Sequence, residues 1–410
     1  MSLVRDLGQD VYYVGASDMR LSRFENMIPL NNGVSYNSFL IRDEKTCLMD
    51  TVDSSILLQF LESVEVALNG RDLDYIVIQH MEPDHCSGVI QLMQRYPNCQ
   101  IVGNAKTFQF LKQFRGENFP ERQLLIAEGD RLNLGQHELE FVMAPLVHWP
   151  EVFFTYDHHA QILFSADAFG SFNYISGNIW SDEVNYDEYW LPEARRYYLN
   201  IVGKQGPSVQ KILNKLSPYN IKRIYPLHGV LHREQKITQK MLSYYQTWSS
   251  YQPEEKGLVI VYASMYGGME ECCLRLANLL ADRGVKGIRF YDVSHSDETY
   301  IISDLFRYSN MVFGVVNHNT NLYHKMADFI HFMQCENLQN RPFGLLVSKS
   351  WGGQAGKQAL EGLLACKGCE QVGETFEILS TFNESQQADL EKLADCLAES
   401  YRNAKVMMEH

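Results

Sequence analysis

Along the first 250 or so residues, short apolar runs recur at strand length, set apart by polar, turn-prone stretches. Ser38 to Arg42, Thr46 to Met49, Asp74 to Gln79, Leu139 to Met143, Gln161 to Ser165 and Ile221 to Tyr225 all fit buried or half-buried strands. Pro192 to Val202 fits a helix. The polar, proline-containing stretch Ser250 to Lys256 then reads as a linker. Beyond it the rhythm becomes strand, loop, helix. Leu258 to Tyr262 precedes a helix from about Glu270 to Arg283, and Met311 to Val315 and Gly344 to Val347 are buried strands with helical stretches after them. That alternation predicts a doubly wound parallel sheet. The pattern therefore predicts two α/β domains, residues 1–252 and 257–410.

Composition narrows the class. A chain of 410 residues, 45% hydrophobic, is long enough to bury two cores. Its net charge of −14 argues against nucleic acid and against an anionic membrane surface. The opening MSLVRDLGQDVYYVG lacks the apolar core of a signal peptide, and no apolar run approaches membrane-spanning length. The reading is a cytoplasmic protein. Nine cysteines, an odd number, form no disulfide framework, which fits a reducing compartment. The one CxxC, Cys366 to Cys369, has no second pair and reads as a chance or surface thiol pair. No rubredoxin-like iron module is expected on this chain.

The chemistry begins in QHMEPDHCSG, residues 79–88, directly after a predicted strand. His80, Glu82, Asp84 and His85 crowd into six positions of a loop, and all are good metal ligands. His148, Asp167 and His228 also stand just past predicted strands, where loops from one sheet rim converge. Each alone is weak, because a histidine after a strand is more often hydrogen-bonded structure. Seven with the same placement argue for a metal site. His158 and His159 instead fit a turn between two strands.

This series resembles the ligand set of flavodiiron proteins, also called A-type flavoproteins. Supporting stretches are Gly33 to Ile41, His148-Trp-Pro-Glu151, Ser165-Ala-Asp-Ala-Phe-Gly170 and Glu193 to Tyr198. The resemblance covers essentially the whole chain. It implies an N-terminal metallo-β-lactamase-like αββα sandwich followed by a flavodoxin-like doubly wound parallel sheet. It also implies that His80, Glu82 and His148 hold one iron, that Asp84, His85 and His228 hold the other, and that Asp167 bridges them. Zinc hydrolases of this fold usually carry histidine where this chain has Glu82. A carboxylate there adds charge and a hard oxygen donor, which suits iron cycling between ferrous and ferric states.

The family implies FMN as the second cofactor, since two irons cannot alone supply the four electrons that turn dioxygen into water. Three loops after parallel strands are the expected flavin site. They carry Ser264, Met265, Tyr266, Gly267, Gly268 and Met269, then Val316, Asn317, His318 and Asn319, and finally Ser348, Lys349, Ser350, Trp351 and Gly352. Trp351 is expected to cover the flavin ring. Two departures stand out: Gly268 and Met269 replace hydroxyl residues, and Val315-Val-Asn-His318 replaces a serine-proline-threonine-aromatic run. Asn317 or His318 is expected to substitute for the lost contacts.

The implied activity is reduction of dioxygen to water, nitric oxide to nitrous oxide, or both. Tyr198 or its neighbour Tyr197 is expected to line the substrate pocket, against the plainer reading of core packing. Electrons would come from a separate rubredoxin-like protein, flavin reductase or reduced cofactor. The implied assembly is a head-to-tail homodimer, or a tetramer of such dimers. Two other readings are a dizinc hydrolase with an accessory flavodoxin-like domain and an electron carrier with a structural metal. Glu82 and the seven-residue set weigh against the first, and the closed four-ligand form of structural zinc sites against the second.

Overall fold

The computed structural model describes residues 3–407. It divides into two compact units after Tyr245, within the helix Gln235–Ser249.

Two large sheets make the body of the first unit, beside two small two-stranded ones, Ala16–Asp18 with Val34–Tyr36 and Arg23–Phe24 with Ile28–Pro29. One large sheet has seven strands, in the order Arg5–Asp6, Val11–Tyr13, Phe39–Arg42, Thr46–Met49, Tyr75–Val77, Gln100–Gly103 and Gln123–Leu125. The other has five: Arg131–Asn133, Glu138–Met143, Phe153–Asp157, Ile162–Phe164 and Arg223–Tyr225. Side chains alternate across each strand. Phe39, Ile41, Cys47, Met49 and Val77 of the first sheet therefore share one core with Phe141, Phe153, Phe164 and Tyr225 of the second. Leu40, Leu48, Ile76 and Ile101 point the other way and pack with Phe60 and Val64 of the helix Leu57–Leu68 and with Phe108 and Leu111 of Ala105–Arg115. Strands buried on both faces explain why these segments read as continuous apolar runs. Each fully buried Leu, Ile or Phe contributes about 1.5–3 kcal/mol, so a slipped register would forfeit several at once.

The second unit is a parallel sheet in the order Ile288–Asp292, Glu255–Tyr262, Tyr308–His318 and Pro342–Lys349. Two short strands, Glu370–Gln371 and Phe376–Leu379, share its outer edge, pairing with Pro342 and Leu346 respectively. Numbered along the chain, this is the flavodoxin-like order 2-1-3-4-5. Helices Gly268–Asp282 and Gln387–Asn403 pack together, and so do His324–Cys335 and Ala355–Leu364. The fold class is the one the sequence pattern implies.

Three local expectations are corrected. The first strand of the second unit starts at Glu255, inside the supposed linker, and the Glu255 carboxylate is paired with Arg307. The helix expected over 192–202 is α-helical only over Leu191–Tyr197 and continues as a wider π-turn over Tyr198–Val202. Cys366 and Cys369 are buried rather than surface thiols, because their turn packs over Asn340 and Arg341.

Candidate metal centre and flavin loops

The strand Tyr75–Val77 stops where the ligand-type residues begin, and Pro83 then opens a single helical turn, Pro83–Cys86. Proline at the start of a helix costs no hydrogen bond, so the loop turns at once and throws Glu82, Asp84 and His85 to one side. Asp50, at the end of the neighbouring strand, holds this loop. Its carboxylate accepts from the Gln79 backbone N–H at 2.7 Å, from Gln79 Nε2 at 2.8 Å and from the His80 N–H at 3.3 Å. Burial lifts its pKa to about 6 against those bonds.

The seven residues meet as two groups. His80, Glu82, His148 and Asp167 bring ligand atoms within 4.8 Å of one another, and so do Asp84, His85 and His228. Asp167 joins them. Its Oδ2 lies 3.4 Å from His80 Nε2 and 3.0 Å from His148 Nε2, while its Oδ1 lies 3.2 Å from His85 Nε2 and 3.7 Å from His228 Nε2. One carboxylate thus turns an oxygen to each half. Both Asp84 oxygens and Asp167 Oδ1 are buried without a hydrogen-bond partner. Stranded acceptors of that kind cost 1–3 kcal/mol each or more, and a cation is the natural group to satisfy them.

Electrostatics say the same. Burial opposes charge on His148, yet its bonds to Asp167 and Glu82 lift it to about 9. His80 is raised likewise, burial being outweighed by Asp167, Glu151 and Glu82. Glu82 and Asp167 are held well below the carboxylate range despite burial, chiefly by the imidazoles facing them. Without a cation, protonated imidazoles neutralise the carboxylates; a metal would displace those protons.

Outer partners fix the ligands. Glu151 Oε1 accepts from His80 Nδ1–H at 2.8 Å and from the Met81 N–H at 2.9 Å, and the Ser35 carbonyl accepts from His228 Nδ1–H at 2.8 Å. Each leaves Nε2 for a metal. No pattern in the chain marks Asp50 or Glu151, because a carboxylate on a backbone amide leaves no spacing signature. Glu25 was missed too. It caps the hairpin Arg23–Phe24/Ile28–Pro29 at the mouth of a 360 Å³ cleft that reaches Glu82 and Asp84. Desolvation and Glu82 push Glu25 up to about 8.

The two tyrosines separate. Tyr197 is fully buried with its ring 5.4 Å from that of His228, and its hydroxyl has no hydrogen-bond partner among the described residues. Burial raises it, and Asp167, Asp84 and Glu82 raise it further, so the hydroxyl looks toward the carboxylates. Tyr198 packs on Tyr245 at 4.8 Å.

In the second unit, Ser264, Met265, Tyr266, Gly268, Met269, Val316, Asn317, Ser348, Lys349 and Ser350 line one cleft of about 170 Å³ at the carboxyl ends of the strands. Gly267, His318, Asn319, Trp351 and Gly352 are not in its lining, and Trp351 stands 68% exposed. Asn317 does not face the cleft as a free donor. Its amide binds the Ser348 carbonyl at 3.2 Å and accepts from the Ala355 N–H at 3.1 Å, tying two loops together.

Ser380 and Thr381, which the sequence reading missed, complete the lining. They follow the edge strand Phe376–Leu379, and Ser380 Oγ donates to Ser350 Oγ at 2.8 Å. A Cβ on residue 268 would sit 2.5 Å from the Ser380 carbonyl. Glycine there lets the 380 loop close in, so the hydroxyls absent from the first loop return from another strand. With Ser264 and the first-turn amides of the 15-residue helix Gly268–Asp282, these donors fit a phosphate monoester. Glu270 and Glu271 in that turn oppose it.

Comparison with known proteins supports both halves. The family model "ODP family beta lactamase" matches residues 34–229. A putative diflavin flavoprotein A 3 from Nostoc sp. is 31% identical over 316 residues, which is 76% of this chain and 53% of that protein. The chain thus spans about half the length of that relative. The anaerobic nitric oxide reductase flavorubredoxin of Escherichia coli is 28% identical over 361 residues, 87% of this chain and 74% of that one. These relatives and the family model liken the chain to the flavodiiron proteins. Two solved structures share the fold of this chain across nearly its full length. Rubredoxin oxygen:oxidoreductase from Desulfovibrio gigas superposes with a TM-score of 0.91 at 23% identity, over 97% of this chain and 98% of that one. The flavodiiron protein from Giardia intestinalis gives 0.90 at 23%, over 98% and 97%.

Proposed function

We propose that this chain is a flavodiiron protein that reduces dioxygen to water, nitric oxide to nitrous oxide, or both, at a pair of iron ions supplied with electrons through FMN. The observation that carries the reading is Asp167, with one oxygen turned to each group of ligands. His80, Glu82 and His148 would hold one iron, Asp84, His85 and His228 the other, and Asp167 would bridge them. Iron held there would supply electrons and open coordination positions for a diatomic substrate. Glu151 and the Ser35 carbonyl keep His80 and His228 presenting Nε2. The buried Tyr197 hydroxyl is free to donate a hydrogen bond toward the same space.

The loops at 264–269, 316–319, 348–352 and 380–381 are proposed to hold FMN, which would supply electrons between an external donor and the iron. That donor is a rubredoxin-like protein, in line with the names of the Desulfovibrio and Escherichia relatives, or else a flavin reductase or a reduced cofactor. Among the described residues no helix is long and apolar enough to cross a membrane. We place the protein in the cytoplasm, as a head-to-tail homodimer or a tetramer of such dimers.

Metal analysis of protein made with iron and zinc both available should find about two irons per chain. The reduced protein should consume dioxygen or nitric oxide when each is supplied separately without air. Two zincs with ester or amide turnover and no gas consumption would favour a dizinc hydrolase.

The phosphate cradle predicts that apoprotein binds FMN more tightly than riboflavin. A hydrogen bond to a charged acceptor is worth about 1.5–3 kcal/mol, so the preference should be at least about tenfold. Titration of the apoprotein with both flavins gives the ratio. Equal affinities would show that the 264 and 380 loops do not hold the phosphate.

A further inference from the structure

One pair of buried nucleophiles has no part in the activity above. Cys366 and Cys369 follow the helix Ala355–Leu364 and are 3% and 7% exposed. The Cys369 N–H donates to the Cys366 carbonyl at 3.1 Å, and Gly368 between them has φ +69°. These are the marks of a type II turn, which brings its first and fourth Cα atoms within 7 Å, the span a disulfide bridges. The turn is anchored from below. Asn340 N–H donates to the Lys367 carbonyl at 2.9 Å, and a Cβ on residue 368 would meet Asn340 Oδ1 at 2.4 Å.

The Cys369 sulfur faces the Cys366 thiol and the Arg341 backbone N–H. Arg341 is itself fully buried, and its guanidinium donates to backbone carbonyls, among them those of Tyr251, Leu305, Phe306 and Tyr308, while the buried Glu254 and Cys369 act on its charge. A buried cation favours a nearby anion. The Cys366 thiol, the Arg341 amide and that cation hold Cys369 near 7, against burial, while Cys369 and burial raise Cys366. One sulfur is thus set up to attack and the other to resolve.

We propose that Cys366 and Cys369 form a reversible dithiol–disulfide couple oxidised by hydrogen peroxide or a comparably small peroxide. The Cys369 thiolate attacks one peroxide oxygen, the O–O bond breaks, and the departing hydroxide takes up a proton as water. Cys369 is left as a sulfenic acid. Cys366 then gives up its proton and attacks that sulfur, so that the S–S bond forms, the S–O bond breaks and a second water leaves. Two thiols lose two protons and two electrons, and one peroxide becomes two waters. Burial excludes larger disulfide oxidants such as glutathione disulfide. The couple sits at the start of the strand Pro342–Lys349, eight residues and so about 25 Å from the loop at its other end. Its oxidation locks the outer sheet edge and does not exchange electrons directly with the flavin loops.

The test uses the intact wild-type protein with its cofactors, treated with limiting hydrogen peroxide, alkylated and digested under denaturing conditions. Trypsin cuts after Lys367, so a Cys366–Cys369 disulfide joins two peptides that dithiothreitol separates. This pair should oxidise about tenfold faster than the exposed Cys335 and Cys396, because the second sulfur of the turn captures the first oxidation product. Trapping with dimedone should label Cys369 in Cys366→Ser and leave Cys366 unlabelled in Cys369→Ser. Earlier oxidation of Cys335 and Cys396, pairing of either sulfur with another cysteine, or equal labelling of the two variants would overturn the proposal.

Discussion

Asp167→Ala should strip the chain of at least one metal and lower gas consumption by a hundredfold or more, while the metal-free protein stays folded. Outer partners of metal ligands typically carry about 10–100-fold in affinity or activity, and a residue facing both metals should exceed them. Asp167 is fully buried, with His80 and His148 on one oxygen and His85 and His228 on the other. Removing it leaves those four imidazoles with two carboxylates, Glu82 and Asp84. Glu151→Ala is the graded comparison. It frees His80 Nδ1 and the Met81 N–H without touching a ligand atom, so weaker metal binding, by about 10–100-fold, is expected with both sites still fillable. Metal content by mass spectrometry and gas consumption at saturating metal separate the two effects. Two retained metals and an unchanged rate in Asp167→Ala would end the bridging assignment.

The metal set was legible because each ligand stands just past a strand whose apolar residues give it away. Val77, Met143, Phe164 and Tyr225 mark the ends of four such strands, and the loops after them carry His80, His148, Asp167 and His228. What holds the ligands was not legible. Asp50 acts through backbone amides, Glu151 through one ring nitrogen 71 residues away, and Glu25 through a hairpin tip with left-handed residues at Glu25 and Asn26. None of these leaves a period. The flavin loops show the converse. Gly268 looked like a loss and Asn317 like a substitute donor, because the sequence shows only which residues stand in a loop. Space for the Ser380 carbonyl, and a bridge to Ser348 and Ala355, are properties of strand order. Tyr197 and Tyr198 were indistinguishable for a similar reason. Neighbours on a helix point about 100° apart, and only packing decides which meets His228.

Mixing two kinds of inactive chain should restore gas reduction if the flavin of one subunit serves the metals of its partner. Large apolar side chains crowd both sites. Tyr266 is 98% exposed beside the flavin cleft, with Trp351 and Leu379 also exposed on the loops and strand that flank it. In the other unit, exposed Phe114 stacks on Trp149, whose ring lies 5.2 Å from that of His80. Exposed apolar clusters of this kind mark association surfaces. In a two-fold dimer with the units head to tail, one self-complementary surface serves both electron paths. Asp84→Ala with His85→Ala removes two ligands from one kind of chain. Ser264→Asp with Ser380→Asp turns the phosphate cradle of the other against an anion. Neither chain alone should reduce either gas. Random pairing makes half the dimers mixed, each with one intact donor–acceptor pair, so about a quarter of the wild-type rate should return. Differently tagged chains show that mixed dimers have formed. Mixed dimers without activity would place both cofactors' traffic within one chain, whereas recovery near that fraction requires transfer between subunits.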